Sequence, residues 1–245
     1  MAHRFRPRWL PTLAVVALLP LFIAAGVWQL DRAGQKQRLQ AEYDARANAA
    51  PLALTGEPRA AEDLRFYKVI ARGVYEPDYQ ILIDNRVHRG QAGYYVITPL
   101  RIADSATRVL VNRGWVPLGG DRATLPETPA PAGVQEAVGI ATVPSEHPFT
   151  LGSVEDPRGV WPKLWQHLDL ERYRQRVPFT LQPVVILLDP AANGGFVRQW
   201  ARLDAGIATH RGYAFQWFSL AIALLAVYFF VNVRNVSAHK GNDKT

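Results

Sequence analysis

Two uncharged apolar runs frame the chain. Leu10–Leu30 (LPTLAVVALLPLFIAAGVWQL) and Tyr213–Val233 (YAFQWFSLAIALLAVYFFVNV) each hold 21 residues without a charge. At 1.5 Å per residue, about 20 residues cross a hydrocarbon core of about 30 Å, so each run predicts a transmembrane helix. Pro11 falls in a first turn, where proline is tolerated, and Pro20 predicts a kink in mid-span. Trp9 and Trp28 mark the two ends of the first run, as interfacial aromatics do. A cleaved signal peptide is the rival reading of that run, with a basic start and Ala24-Ala25 as a small-residue site. The stretch is long for a signal, and Ile23 is not the small residue expected two before the cut, which favours the anchor. Within the second run only Gln216, Ser219 and Asn232 are polar, and Arg234 closes it. A buried soluble helix is the bland alternative there; a second uncharged run of spanning length argues against it.

Between the runs the period changes. Asp31–Asn48 is charged and rich in Ala and Gln, and predicts a helix that continues the first span into water. Leu52–Arg65, behind Pro51 and containing Gly56 and Pro58, reads as a loop. Strand patterns follow at Tyr67–Tyr75, Tyr79–Val87, Gly93–Arg101, Thr107–Val116, Val134–Val143 and Val184–Leu188, with Phe196–Leu203 a weaker last candidate. Glu76-Pro77-Asp78 predicts a hairpin turn between the first two, and Ala103-Asp104-Ser105 another. A proline-rich loop spans Leu125–Gly133. One short helix is expected at Leu168–Arg176, capped by Asp169. The fold class is therefore an α+β membrane protein: two transmembrane helices bracket an antiparallel β-rich domain, a curled sheet or barrel, with one or two short helices. The expected boundaries are a tail at 1–9, spans at 10–30 and 213–233, a domain at 31–212 and a tail at 234–245.

Charge orients the hairpin. The chain carries +7. Arg4, Arg6 and Arg8, together with Arg234, Lys240 and Lys244 against Asp243, put +5 into the two tails and leave +2 for 31–212. Short basic flanks stay cytoplasmic and long loops translocate largely regardless of charge. Both termini are then expected in the cytoplasm and the middle domain outside the inner membrane, the periplasm in a bacterium. A nucleic-acid binder concentrates its charge on the folded body, so none is expected as a partner; the lipid bilayer is. No cysteine is present and Met1 is the only methionine. Disulfides, thiolate zinc, iron–sulfur clusters and Cys-linked haem are excluded, and a Cu(I) site would lack its soft ligands.

Chemistry is sparse. The chain has no G-x-S-x-G, H-E-x-x-H, P-loop or G-x-G-x-x-G pattern, and no enzyme activity is expected. His88, His147 and His167 are scattered, and Glu155-Asp156 before Pro157 reads as loop. One cluster is more suggestive. If the second span starts a turn early, His210, Tyr213, Ala214 and Trp217 share a helix face. That face offers an imidazole, two rings and a small gap, with Arg211 and Arg202 nearby in sequence. A haem needs an axial nitrogen, an apolar wall and cations for its propionates. His, Tyr and Trp are also common as an interfacial belt, and the residues alone leave both readings open.

Three separated patches resemble the surfeit locus protein 1 family of membrane factors for cytochrome c oxidase assembly. Gly26-Val27-Trp28-Gln29-Leu30-Asp31-Arg32, with Lys36 following, is like its W-Q-x-x-R-x-x-x-K. Val111-Asn112-Arg113-Gly114-Trp115-Val116-Pro117 is like its N-R-G-W/F-V-P. His210-Arg211-Gly212-Tyr213-Ala214-Phe215-Gln216-Trp217-Phe218 is like its H-x-x-Y-A-x-x-W-F. Gly93–Pro99, and Asp189 ahead of Asn193-Gly194-Gly195, are smaller echoes. The resemblance implies a factor that binds haem a and assists its placement in oxidase subunit I. His210 would ligate the iron, and Tyr213, Trp217 and Arg211 would line the site. Subunit I is the implied partner, with haem a synthase a further one. A haem-free scaffold for an oxidase intermediate is the alternative, and a copper donor a third. Among the other matched residues, Gly114 and Trp115 are expected to pack and Arg113 to form a salt bridge. Trp28 and Gln29 read as interfacial anchors, with Gln29 and Gln216 bonding between the spans; Arg32 and Asn112 belong to the same matched patches.

Overall fold

The computed structural model describes residues 3–120, 124–144, 161–193, 196–200 and 206–235. His147, Glu155, Asp156, Pro157, Gly194, Gly195 and Arg202 lie outside them. In chain order the elements are β1 (His3–Phe5), α1 (Trp9–Ala47), β2 (Leu52–Ala53), α2 (Ala61–Leu64), β3 (Lys68–Tyr75), a 3-10 turn at Pro77–Tyr79, β4 (Ile81–His88), β5 (Gln91–Ile102), β6 (Thr107–Pro117), β7 (Val134–Thr142), β8 (Leu164–Trp165), α3 (Leu170–Arg174), β9 (Thr180–Leu188), α4 (Ile207–Asn232) and β10 (Val233–Asn235). They divide into two units, 1–41 with 202–245, and 42–201.

The first unit is an antiparallel helix pair. Both α1 and α4 are long and apolar enough to cross a membrane. Pro20 lies inside α1 without ending it. The register is read from contacts at several depths. Thr12 Oγ1 meets the Tyr228 hydroxyl at 2.9 Å, the Phe22 and Trp217 rings lie 5.8 Å apart, and Gly26 is buried against the Phe218 ring. A β-carbon at Gly26 would come within 2.7 Å of the outer edge of that ring, so the ring would have to shift to admit one. Small residues let helix backbones approach where lipid supplies no hydrophobic drive; Ala33, Ala214 and Ala221 are likewise buried. At the far end Asn232 donates from Nδ2 to the Tyr228 carbonyl and accepts from the Arg8 amide at Oδ1. There β1 pairs antiparallel with β10.

The second unit is built on a closed ring of five strands in the order β3-β7-β9-β6-β5. Pairing of Gly73–Tyr75 with Leu100–Ile102 closes it. The joint between β6 and β9 is parallel and the rest are antiparallel. Alternation along the strands fills the interior with Val69, Ala71, Leu100, Ile102, Val109, Val111, Ala137, Ala141, Val184 and Ile186. A five-strand ring is narrow, and β3 and β7 meet this with small residues. At Gly73 and Gly139 a β-carbon would strike the carbonyls of Arg101 and Leu187. The long β5 leaves the ring at its first half, where it pairs with β4. On the outside, Ile83, Ile97, Leu110, Trp165, Tyr173 and Val185 form a second core with α3. Asp169 caps α3 by accepting from the Arg172 amide at 2.9 Å, as its sequence predicts.

The strand candidates fall close to these elements; their connections differ in one place. Glu76-Pro77-Asp78 does not make a hairpin. The 3-10 turn sends the chain away from β3, and β4 pairs with β5 instead. The hairpin turn is Arg89-Gly90, with φ of 49° and 81°. Two left-handed residues in succession match the twist of a two-residue hairpin. Val197 makes only an isolated bridge, to Trp115, and residues 201–205 lie outside the described set.

Candidate functional site

The sequence-predicted residues fall into two groups, one in each unit. In the barrel, the Asn112–Trp115 stretch is a β-bulge. Tyr95 pairs with Trp115 and Ile97 with Asn112, so Arg113 and Gly114 together face Val96. Gly114 takes φ of 122°, a conformation L side chains rarely adopt. A β-carbon there would sit 2.8 Å from both Phe196 Cβ and the Val197 carbonyl oxygen. Asn112 Oδ1 accepts from the Gly114 amide at 3.2 Å and steadies the bulge. Trp115 exchanges backbone bonds with Val197 and donates its indole N–H to the Arg86 carbonyl at 2.7 Å. Gly114 and Trp115 therefore hold packing positions.

The bulge turns Arg113 inward, where it is only 3% exposed. Among the described residues it has no carboxylate partner, which corrects the expected salt bridge. Its guanidinium donates to the Pro129 carbonyl at 2.6 Å and, at longer range, to the Thr128 carbonyl, Gln80 Oε1 and Thr98 Oγ1. The Tyr75 and Phe196 rings flank it. Gln80 ties the network together: it accepts from Thr98 and donates to Thr128, each at 2.7 Å. Burial pulls the Arg113 pKa down, partly offset by Tyr75, and burial pushes the Tyr75 phenol up. The effect is to pin the proline-rich loop to the barrel. A cavity of about 610 Å³ lined by Pro77, Gln80, Thr128, Pro129 and Lys163 adjoins it. Gln80, Thr98 and Thr128 are isolated polar residues in sequence, with no signal to connect them to Arg113 before the bulge is known.

The second group lies on the helix pair. α4 begins at Ile207 behind Gly206, so His210 stands in its first turn, its amide bonded to the Gly206 carbonyl at 3.0 Å. His210 Nδ1 lies 2.7 Å from Gln29 Oε1. The expected Gln29–Gln216 bond is not formed: the antiparallel register sets residue 29 beside residue 210, and Gln216 is exposed. An amide oxygen only accepts, so the contact calls for a proton on Nδ1, and in the neutral ring the lone pair is then on Nε2. Among the described residues Nε2 has no hydrogen-bond partner. Trp217 packs on Phe22 on the same stripe, while Ala214 is 1% exposed, so the small gap expected there is filled. Tyr213 stands off this stripe at 49% exposure. Arg211 is exposed and donates to Gln37 Oε1 at 2.9 Å. Trp28 is 53% exposed, with the Arg32 guanidinium 5.7 Å from its ring centre. An apolar groove lined by Leu19, Pro20, Ile23, Val27 and Trp28 runs along another face of α1, with Asp31 as its charged lining residue. Among the described residues no three His, Asp or Glu converge on one point. On the stripe where α1 meets α4, His210 is the side chain that could ligate a metal through nitrogen.

The model of the SURF1 family matches residues 16–222, a span that contains all three motif patches. The chain belongs to the SURF1 family. A SURF1-like protein of Rickettsia felis is 27% identical over 222 residues, covering 88% of this chain and 94% of that one. Surfeit locus protein 1 of Xenopus tropicalis is 28% identical over 255 residues, covering 94% and 77%. A shorter match, 30% identical over 93 residues, covers 37% of this chain and 24% of a Saccharomyces cerevisiae protein named cytochrome oxidase assembly protein SHY1. In this SURF1-family chain the first and third motif patches meet through Gln29 and His210, while the middle patch forms the Arg113 bulge.

Proposed function

We propose that this protein is a non-enzymatic assembly factor for cytochrome c oxidase, and that it receives haem a at His210 and assists its delivery to subunit I. Family membership and the printed name of the yeast relative support the oxidase assembly role. The observation that carries the haem assignment is the Gln29–His210 pair. An imidazole whose Nδ1–H is already donated presents Nε2 as a neutral ligand, the form that metal-binding histidines take. The residues supply in kind an axial nitrogen at His210, an exposed ring at Tyr213 and, at Arg211, a cation for a propionate, while Trp217 is packed on Phe22 further along α4. When bound, haem would supply an iron centre for the imidazole to hold; this chain's own part is to bind, orient and release it. The hairpin spans the inner membrane with both termini cytoplasmic and the barrel in the periplasm, so His210 lies near the outer membrane surface. Haem a synthase is the partner whose chemistry would supply the cargo.

A haem-free scaffold is the second reading, with the barrel and the proline-rich loop pinned to it by Arg113 as the contact surface and His210 dispensable. One experiment separates them. In a host deleted for this gene, oxidase is isolated after complementation with wild-type protein or with His210→Ala at equal membrane levels. The cargo reading expects subunit I to lack haem a in the variant. Full haem a occupancy and oxidase yield with His210→Ala would support the scaffold.

A further inference from the structure

We infer that Gln29 is a positioning residue that fixes His210 in the Nδ1–H tautomer, leaving Nε2 as the ligand atom. The assignment of a ligand role rests on the haem reading above; the assignment of the tautomer does not. Gln29 lies on the buried stripe of α1 between Gly26 and Ala33, spaced at one helical turn on either side. Gly26 admits the Phe218 ring and so draws the two helices together next to the hydrogen bond. His210 stands at the corresponding level of α4, held by a regular first-turn backbone bond to Gly206. The ring is therefore tethered at its Cα by α4 and at Nδ1 by α1, which fixes both its rotation and its proton. A free imidazole has no such constraint and exchanges its proton between the two nitrogens. Residues that hold the second nitrogen of a metal-binding histidine set its tautomer and raise its basicity, and losing them costs about tenfold to a hundredfold in affinity. Gln216 does not substitute, because it is exposed and lies nearly two turns further along α4.

The test uses full-length protein, labelled with 15N-histidine and held in lipid nanodiscs at a pH well above the ordinary imidazole range. Two-bond 15N–1H correlations identify which ring nitrogen is protonated. Wild type is expected to show His210 as the Nδ1–H tautomer. Gln29→Ala is expected to lose that preference, and Gln29→Glu, which keeps an acceptor, to retain it. Haemin is then titrated in. Gln29→Ala is expected to bind about tenfold or more weakly, and the haem bound to Gln29→Glu to have a more negative midpoint potential than wild type, because a carboxylate pulls harder on the Nδ1 proton. A wild-type ring protonated at Nε2, or Gln29→Ala with an unchanged tautomer, overturns the inference even if haemin binds. Wild-type protein that has the expected tautomer but binds no haemin supports the role of Gln29 and removes the haem reading. If the tautomer follows Gln29 but haem affinity and potential are the same in all three proteins, Nε2 of His210 is not the ligand atom and that half of the inference is overturned.

Discussion

The Arg113 bulge depends on one atom being absent, and Gly114→Ala measures what that absence contributes. Alanine at φ of 122° costs about 1–3 kcal/mol in backbone strain. Its β-carbon would also press on Phe196 Cβ and the Val197 carbonyl at 2.8 Å, neither of which can swing aside as the end of a flexible side chain would. Overpacking of this kind adds about 1–3 kcal/mol. The sum, about 2–6 kcal/mol, is a large share of the roughly 5–15 kcal/mol that stabilises a typical domain. In urea, at a slope of about 2–3 kcal/mol per molar, the unfolding midpoint of the full-length protein in detergent should fall by about 1–3 M. Tryptophan fluorescence follows the transition. Gly133→Ala is the control: it has φ of 72° with open space around the β-carbon, so it carries strain without contact. It should cost only about 1–2 kcal/mol. Equal midpoints for the two variants would refute the argument that close backbone approach holds the bulge.

Three more outcomes follow from the barrel. Arg113→Lys keeps the charge but loses the planar fork that serves Pro129, Thr128 and Gln80, and should cost about 2–3 kcal/mol by the same urea assay. Tyr173→Phe strands the Tyr79 carbonyl, which accepts from the phenol at 2.7 Å, and should cost about 1–2 kcal/mol; in wild type, burial pushes the Tyr173 phenol far up, so alkaline difference spectra should show it among the last tyrosines to ionise. The Ala191 amide, and then Lys68 at 3.3 Å, hold the Asp189 carboxyl below its ordinary value of 3.8. A depressed folded pKa means that its contribution is complete above 3.8 and is lost as pH falls through the lower folded value. Stability measured against pH should therefore drop less steeply in that acid limb for Asp189→Asn.

Local features of this fold were readable in the chain, because alternation and turn chemistry act over a few residues. The strand candidates end within a residue or two of β3, β6 and β7, and the Asp169 cap is visible as an acidic residue ahead of a helical pattern. What was not readable is pairing at a distance. Pro77 and Asp78 suit a hairpin and a 3-10 turn equally well, and only the competition of β5 for β4 decides between them. The parallel joint of β6 with β9 joins strands about 70 residues apart, and the first residues of β9, interrupted by Pro183, show no strand pattern of their own. Arg113 looks like a strand residue in need of a carboxylate; the bulge that turns it toward carbonyls is only hinted at by the Asn-x-Gly spacing around it. On the hairpin, Gln29 and His210 each stood out, but their meeting depends on the helix register, which apolar composition does not encode.

The haem claim is tested most directly by the absorption spectrum of the full-length protein, purified from cells that make haem a, with pyridine haemochrome typing of whatever copurifies. The account predicts a Soret band from haem a that disappears, or shifts to a different ligation, in His210→Ala at equal protein yield. The same spectrum from both proteins would contradict it.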